Sequence, residues 1–154
     1  MTRLVVDASI AVKWVVTEAG TAEAVSLLSY SPLVAPDLLI AQCANILWKK
    51  VARFELAPDE ALMAARLIQQ SDIELYPMRS LLEPAAQLAI NLNHSAQDCL
   101  YLALAIANDW RFVTADRNFV AKVRRSGQGP GNAILSLKEA AAMKTGSTPP
   151  GASK

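Results

Sequence analysis

The sequence predicts an α/β fold built on a mainly parallel sheet with helices on both faces. Three observations carry this. Short apolar runs recur along the chain, at Leu4-Val5-Val6, Leu33-Val34, Ile73–Tyr76 and Arg111–Thr114. Helical patterns of 3.6-residue period lie between them. Apolar residues make up 53% of the 154 and charged residues 19%, enough for a substantial core and too little charge for disorder. Strands separated by helices need crossover connections, which makes the sheet parallel and buried on both sides.

Leu4–Val6 is β-branched and followed by turn chemistry at Asp7. Ile10–Val16 reads as a short helix, and Thr21–Tyr30 as a second, with Ala22, Val25 and Leu28 on one face. Leu33-Val34 is a short strand, ended by Pro36, which suits the first turn of a helix. Asp37 to Phe54 is helical, with Leu38, Leu39, Cys43, Ile46, Leu47 and Val51 recurring at helical spacing. Pro58-Asp59-Glu60 opens another helix with acids in its first turn. Ile73–Tyr76, stopped by Pro77, is a strand, and a helix from Leu81 to Leu92 follows. Ser95-Ala-Gln-Asp98 then opens a strongly apolar helix, Cys99 to Ala107. Arg111–Thr114 is a strand, and Ala115-Asp116-Arg117 turns into a helix carrying Lys122, Arg124 and Arg125. Residues 127–131 read as a Gly-rich loop and Ser136–Met143 as a last helix. The expected organisation is one domain over 1–143 and a loose Gly/Ser/Pro-rich tail over 144–154.

The net charge of +1 requires any nucleic-acid site to be a local basic patch. Cys43 and Cys99 sit inside apolar helical patterns and read as reduced core thiols. No apolar stretch approaches the roughly 18 residues that cross a bilayer, and Arg3 is followed by only three apolar residues before Asp7. A soluble cytoplasmic protein, with no membrane association, is expected.

Three acids stand out: Asp7 after the first strand, Asp98 near the start of the most apolar helix, and Asp116 after the fourth strand. Each has a plain structural reading. Asp7 and Asp116 can cap the helices behind them, and Asp98 occupies the reciprocal position of a capping box begun by Ser95. Taken together they say more. In open α/β sheets the ligand crevice lies at the carboxyl ends of the strands. If the first and fourth strands are neighbours, the acids meet there and repel unless a cation neutralises them. Hard oxygen ligands select Mg²⁺, with Mn²⁺ as a substitute, and such sites hydrolyse phosphodiesters.

Other chemistries are poorly served. His94 is the one histidine, placed in a polar helix-to-helix turn and read as a solvated loop residue. No GxGxxG or P-loop pattern is present. A phospho-accepting receiver domain would want paired acids after the first strand and a lysine after a late one.

The segments VVDASIAVKW, APDLLIAQCANILWK, SAQDCLYLALAIA and RFVTADRNF, in this order, closely resemble a PIN domain of the VapC toxin type, over roughly residues 3–138. The resemblance implies a three-layer α/β/α fold, a Mg²⁺- or Mn²⁺-dependent ribonuclease, frequent homodimerisation, and neutralisation by a small cognate antitoxin. Position by position, Asp7 matches the first metal-binding acid, Asp98 the third and Asp116 the fourth. Ser9 matches the small polar residue supporting the first acid, and Thr114 the hydroxyl residue beside the last. Pro36, Asp37, Leu38, Asn45 and Trp48 fit the family's second motif, but its glutamate position is Gln42. Glutamine keeps an oxygen, adds no charge, and carries an NH₂ that cannot ligate a cation. Asp37 does not replace it, lying about 140° around the helix.

The expected function is therefore the endoribonuclease toxin of a type II toxin–antitoxin system, weakened or disarmed at Gln42. The alternative is a catalytically silent PIN-like module that binds an antitoxin or RNA. Lys13 and Arg117, nearest in sequence to the acids, are the first candidates for RNA phosphates. Trp14 and Trp48 read as core or interface residues. Leu27, Tyr30 and Phe54 add apolar surface for an antitoxin or a second copy.

Overall fold

The structure, a computed structural model, describes residues 3–30, 32–127 and 129–146. In chain order it runs β1 (Leu4–Val6), α1 (Ala8–Val15), α2 (Thr21–Ser26), β2 (Leu33–Pro36), α3 (Leu38–Ala52), α4 (Pro58–Gln69), β3 (Glu74–Tyr76), α5 (Leu82–Leu92), α6 (Ala96–Asn108), β4 (Arg111–Thr114), α7 (Arg117–Arg125), β5 (Ile134–Ser136) and α8 (Leu137–Gly146). Single 3₁₀ turns occupy Leu27–Ser29, Arg79–Leu81 and Gly129–Ala133.

The five strands form one parallel sheet in the order β3-β2-β1-β4-β5. β1 and β4 are central neighbours, paired Leu4 to Arg111, Val5 to Phe112 and Val6 to Val113. Alternation of side chains along these strands builds two cores. Val5 and Phe112 face one, with Leu39, Tyr101, Leu102 and Phe119. Leu4, Val6 and Val113 face the other, with Ile10, Leu27, Leu135 and Leu137. The sheet is thus the middle layer of an α/β/α sandwich, as the strand–helix alternation predicts.

The structure departs from the sequence reading at four places. Pro36 is the last residue of β2 rather than the first of a helix, and the following Asp37 N–H donates to the Tyr76 carbonyl at 2.9 Å. The expected Thr21–Tyr30 helix breaks after Ser26 into the 3₁₀ turn, and Leu27 is fully buried, not surface for a partner. β5 is an added edge strand whose two core residues, Ile134 and Leu135, are too short a run to announce themselves. The Gly-rich loop becomes in part the Gly129–Ala133 turn. Most of the expected tail, residues 147–154, lies outside the described residues, while α8 continues through Gly146.

Cys43 and Cys99 are free and buried. Burial, with the charges of Asp7 and Asp98 nearby, pushes their thiols up to about 12 and about 11. Among the described residues no helix is long and apolar enough to cross a membrane.

Candidate metal centre

β1 delivers Asp7 to the carboxyl edge of the sheet, and the β1–β4 register sets Thr114 beside it. Asp7 is the N-cap of α1. Its Oδ1 accepts from the Ile10 N–H at 3.1 Å and the Ser9 hydroxyl at 2.7 Å, and its Oδ2 accepts from the Thr114 hydroxyl at 2.7 Å. Burial drives the Asp7 carboxyl above its ordinary 3.8. The three hydrogen bonds act against that rise, and the Asp98 charge adds to it. Asp7 keeps some surface in the cleft while protein atoms enclose its carboxylate.

Thr114, buried at 2% exposure, also accepts from the Asp116 N–H at 3.1 Å. Asp116 caps α7 through its Oδ1 on the Phe119 N–H at 3.1 Å. One hydroxyl therefore links both strand-end acids. Asp98 lies in the first turn of α6, but Ser95 makes no side-chain cap, so the expected capping box does not form. The Asp98 carboxylate turns instead to His94, whose Nε2 is 2.7 Å from Oδ2.

His94 is not the solvated loop residue that its polar neighbours suggest. Asn93 ends α5 in the left-handed region at φ +52°, which Asn tolerates better than most residues, and this turns the chain back over the site. The imidazole stacks on Phe119, with centroids 4.2 Å apart and planes 27° apart. Lys122 Nζ lies 3.2 Å from the Asn93 carbonyl and 3.4 Å from His94 Nδ1. Ligand atoms of His94, Asp98 and Asp116 lie within 4.8 Å of one another. Asp7 is outside that group but shares with Asp98 an open cleft of about 360 Å³, also lined by Ser9, Gln42, Asn45 and Gln97.

Gln42 sits in this cleft, as its place in α3 predicts, and is held on both sides. Its Oε1 accepts from the Tyr101 hydroxyl at 2.6 Å, and its NH₂ donates to Gln97 Oε1 at 3.2 Å. Tyr101 is fully buried and stacked on Phe112, which fixes its hydroxyl. Asn45 is exposed at the rim, and Asp37 is exposed at the head of α3.

The basic residues divide. Lys13 does not reach out to solvent: its Nζ is 3.0 Å from Glu18, whose other oxygen is 2.6 Å from Lys50. Arg117 is exposed directly beside Asp116 and lines, with Arg125 and Lys138, a second open cleft of about 520 Å³. Arg124 in the same cleft is paired with Glu139. Trp14 is half-buried, its indole N–H donating to the Ala24 carbonyl at 2.9 Å, whereas Trp48 and Phe54 are 63% and 95% exposed.

The donor set suits a divalent cation: Asp98, Asp116 and the His94 imidazole form one close group, and Asp7 shares a cleft with Asp98. Sequence reasoning missed His94, Gln97 and Tyr101. Only His94 left a signal, as the residue four before Asp98 and next to an asparagine suited to a helix C-terminus.

The family model of the PIN domain matches residues 4–124. No curated protein sequence matches the chain. Among solved structures, PAE2754 from Pyrobaculum aerophilum is similar with a TM-score of 0.71 at 19% identity, covering 94% of this chain and 90% of that one. VapC20 of Mycobacterium tuberculosis, described as a sarcin-ricin loop cleaving toxin, is similar with a TM-score of 0.56 at 15% identity, covering 70% of this chain and 85% of that one. At these identities the likeness is one of fold.

Proposed function

The chain belongs to the PIN domain family, and from that premise we propose that it is a Mg²⁺- or Mn²⁺-dependent endoribonuclease acting as the cytoplasmic toxin of a toxin–antitoxin pair. The observation that carries this reading is the close approach of Asp98, at the head of α6, to Asp116, just past the end of β4, with Asp7 sharing a cleft with Asp98. Asp98 and Asp116 would hold the cation. A bound divalent cation supplies Lewis-acid polarisation and a lowered pKa for water.

The chain's own groups do the remainder. Asp7 is fixed by Ser9, Thr114 and the Ile10 N–H and would stand beside Asp98 as the third acid of the cation site. Thr114 keeps Asp7 and Asp116 in register. Arg117, exposed at the start of α7, would hold an RNA phosphate, a salt-sensitive contact. Exposed Trp48 and Phe54 offer apolar surface to an antitoxin or to a second copy in a homodimer.

The resemblance to VapC20, described as cleaving the sarcin-ricin loop, makes structured RNA the first substrate to try. Cleavage of an end-labelled RNA hairpin should appear with Mg²⁺ or Mn²⁺ and stop with EDTA. Cleavage that survives EDTA removes the metal mechanism. One observation favours a second reading, a silent module that binds RNA or an antitoxin. Gln42 supplies no charge where the family has an acid, and both of its polar ends are already paired. That reading predicts no cleavage but a stable complex with a small partner.

A further inference from the structure

We infer that His94 is a protein ligand of the cation, so that the site takes a mixed nitrogen–oxygen sphere and prefers Mn²⁺ to Mg²⁺. The inference rests on the reading of the cleft as a cation site and goes beyond the acids that define it.

The geometry is direct. His94 Nε2 lies 2.7 Å from Asp98 Oδ2, and both fall within 4.8 Å of an Asp116 oxygen. Neighbouring ligands of an octahedral ion with bonds of about 2.1 Å stand about 3 Å apart, and opposite ligands about 4.2 Å. Small side-chain adjustments bring the three atoms onto one such ion. Asp7 lies outside this close group of three and is held by Ser9, Thr114 and the Ile10 N–H. The imidazole is also held in place: Phe119 stacks beneath it, and the Phe119 N–H is capped by Asp116 itself. Ring and carboxylate are thus positioned by the same residue.

Charge and donor count point the same way. Gln42 leaves the site one carboxylate short, and an imidazole restores a donor without restoring the charge. Imidazole nitrogen is accepted more readily by a first-row transition ion than by Mg²⁺, and Mn²⁺ is the member of that row that also suits carboxylate oxygen. Ligation through Nε2 places the ring proton on Nδ1. Lys122, 3.4 Å from Nδ1, then withdraws on its flexible stem and keeps its hydrogen bond to the Asn93 carbonyl.

The test uses the full chain without any tag. Because His94 is the one histidine, labelling with ¹⁵N-histidine marks this side chain alone. Mn²⁺ is titrated in and followed by electron paramagnetic resonance, and electron spin-echo modulation is read on the bound ion. Directly coordinated ¹⁴N is expected in the unlabelled chain and should be replaced by ¹⁵N coupling in the labelled one. His94→Gln keeps a hydrogen-bond donor for Asp98 but lacks the imidazole. It should weaken Mn²⁺ at least about tenfold and Mg²⁺, measured by displacement, by less. Bound Mn²⁺ that depends on Asp98 but shows no nitrogen coupling overturns the inference and leaves the acidic site standing. Failure of Mn²⁺ to bind at all overturns both.

Discussion

The buried Tyr101 hydroxyl donates to Gln42 Oε1 at 2.6 Å, and this bond fixes which end of the Gln42 amide meets the cleft. Burial, and after it the charge of Asp7, keeps the phenol protonated, so it acts as a donor. Gln42 must turn its oxygen inward and its NH₂ toward Gln97. The residue at the family's acid position is thereby locked with a non-ligating group outward.

Gln42→Glu should reverse this. A carboxylate accepts the Tyr101 hydrogen bond at least as well and leaves its second oxygen toward the cleft. Mn²⁺ affinity should rise about tenfold and RNA cleavage should rise with it, as read by calorimetry and by gel. Equal affinity and equal cleavage in the two proteins would show that the missing charge is immaterial.

Asp7→Asn should stabilise the metal-free chain while harming function. Burial raises the folded pKa of Asp7 above 3.8, so the folded chain holds that proton to higher pH than the unfolded chain. Its contribution to stability is therefore lost as pH rises from 3.8 through the raised folded value, and it is unfavourable at neutral pH. Asparagine keeps an oxygen for the Ile10 N–H and carries no charge, but it turns an NH₂ toward the Thr114 hydroxyl, which offsets part of the gain. A gain of up to about 1 kcal/mol, or roughly 2–4 °C in melting temperature, is expected at pH 7 and should shrink toward pH 3. A lower melting temperature at pH 7 contradicts this.

Thr114→Val preserves shape but leaves Asp7 Oδ2 and the Asp116 N–H without their partner. Loss of a buried double-duty hydroxyl costs about 1–3 kcal/mol. The melting temperature should fall by several degrees, and Mn²⁺ affinity should fall too, because Asp116 loses its anchor. Thr114→Ser should restore most of both.

Glu18 binds Lys13 and Lys50 at once, joining the α1–α2 connection to α1 and α3. Burial alone raises its pKa, but the hydrogen bonds and charges of the two lysines outweigh it and hold the carboxyl below 4.5. The pair energy is present above pH 4.5 and lost as pH falls through the depressed value. Glu18→Gln should cost about 1 kcal/mol at pH 7 and flatten the acid limb of the stability curve, read by denaturant melts from pH 3 to 7.

How far the sequence was legible follows from what each residue depends on. Alternating apolar runs and helical periods are local, so the strands that build the central sheet, their parallel pairing and the strand-end positions of Asp7 and Asp116 can be read from the chain. Asp7 and Asp116 as caps are equally local. His94 is different. Its role depends on Asn93 taking a left-handed turn and on Phe119, 25 residues later, coming beneath the ring. The surroundings of Lys13 are hidden for the same reason, since proximity to Asp7 in sequence says nothing of Glu18 folding back onto it. Local polarity marks a loop, but only tertiary packing decides which charges stay free.

The most direct measurement of the central claim is single-turnover cleavage of an end-labelled RNA hairpin across a Mn²⁺ titration, comparing the native chain with Asp98→Asn and Asp116→Asn. The account predicts cleavage that saturates with Mn²⁺ in the native chain and falls at least about a hundredfold in each variant, with the fold retained by circular dichroism. Cleavage independent of Mn²⁺, or unchanged in both variants, would contradict it.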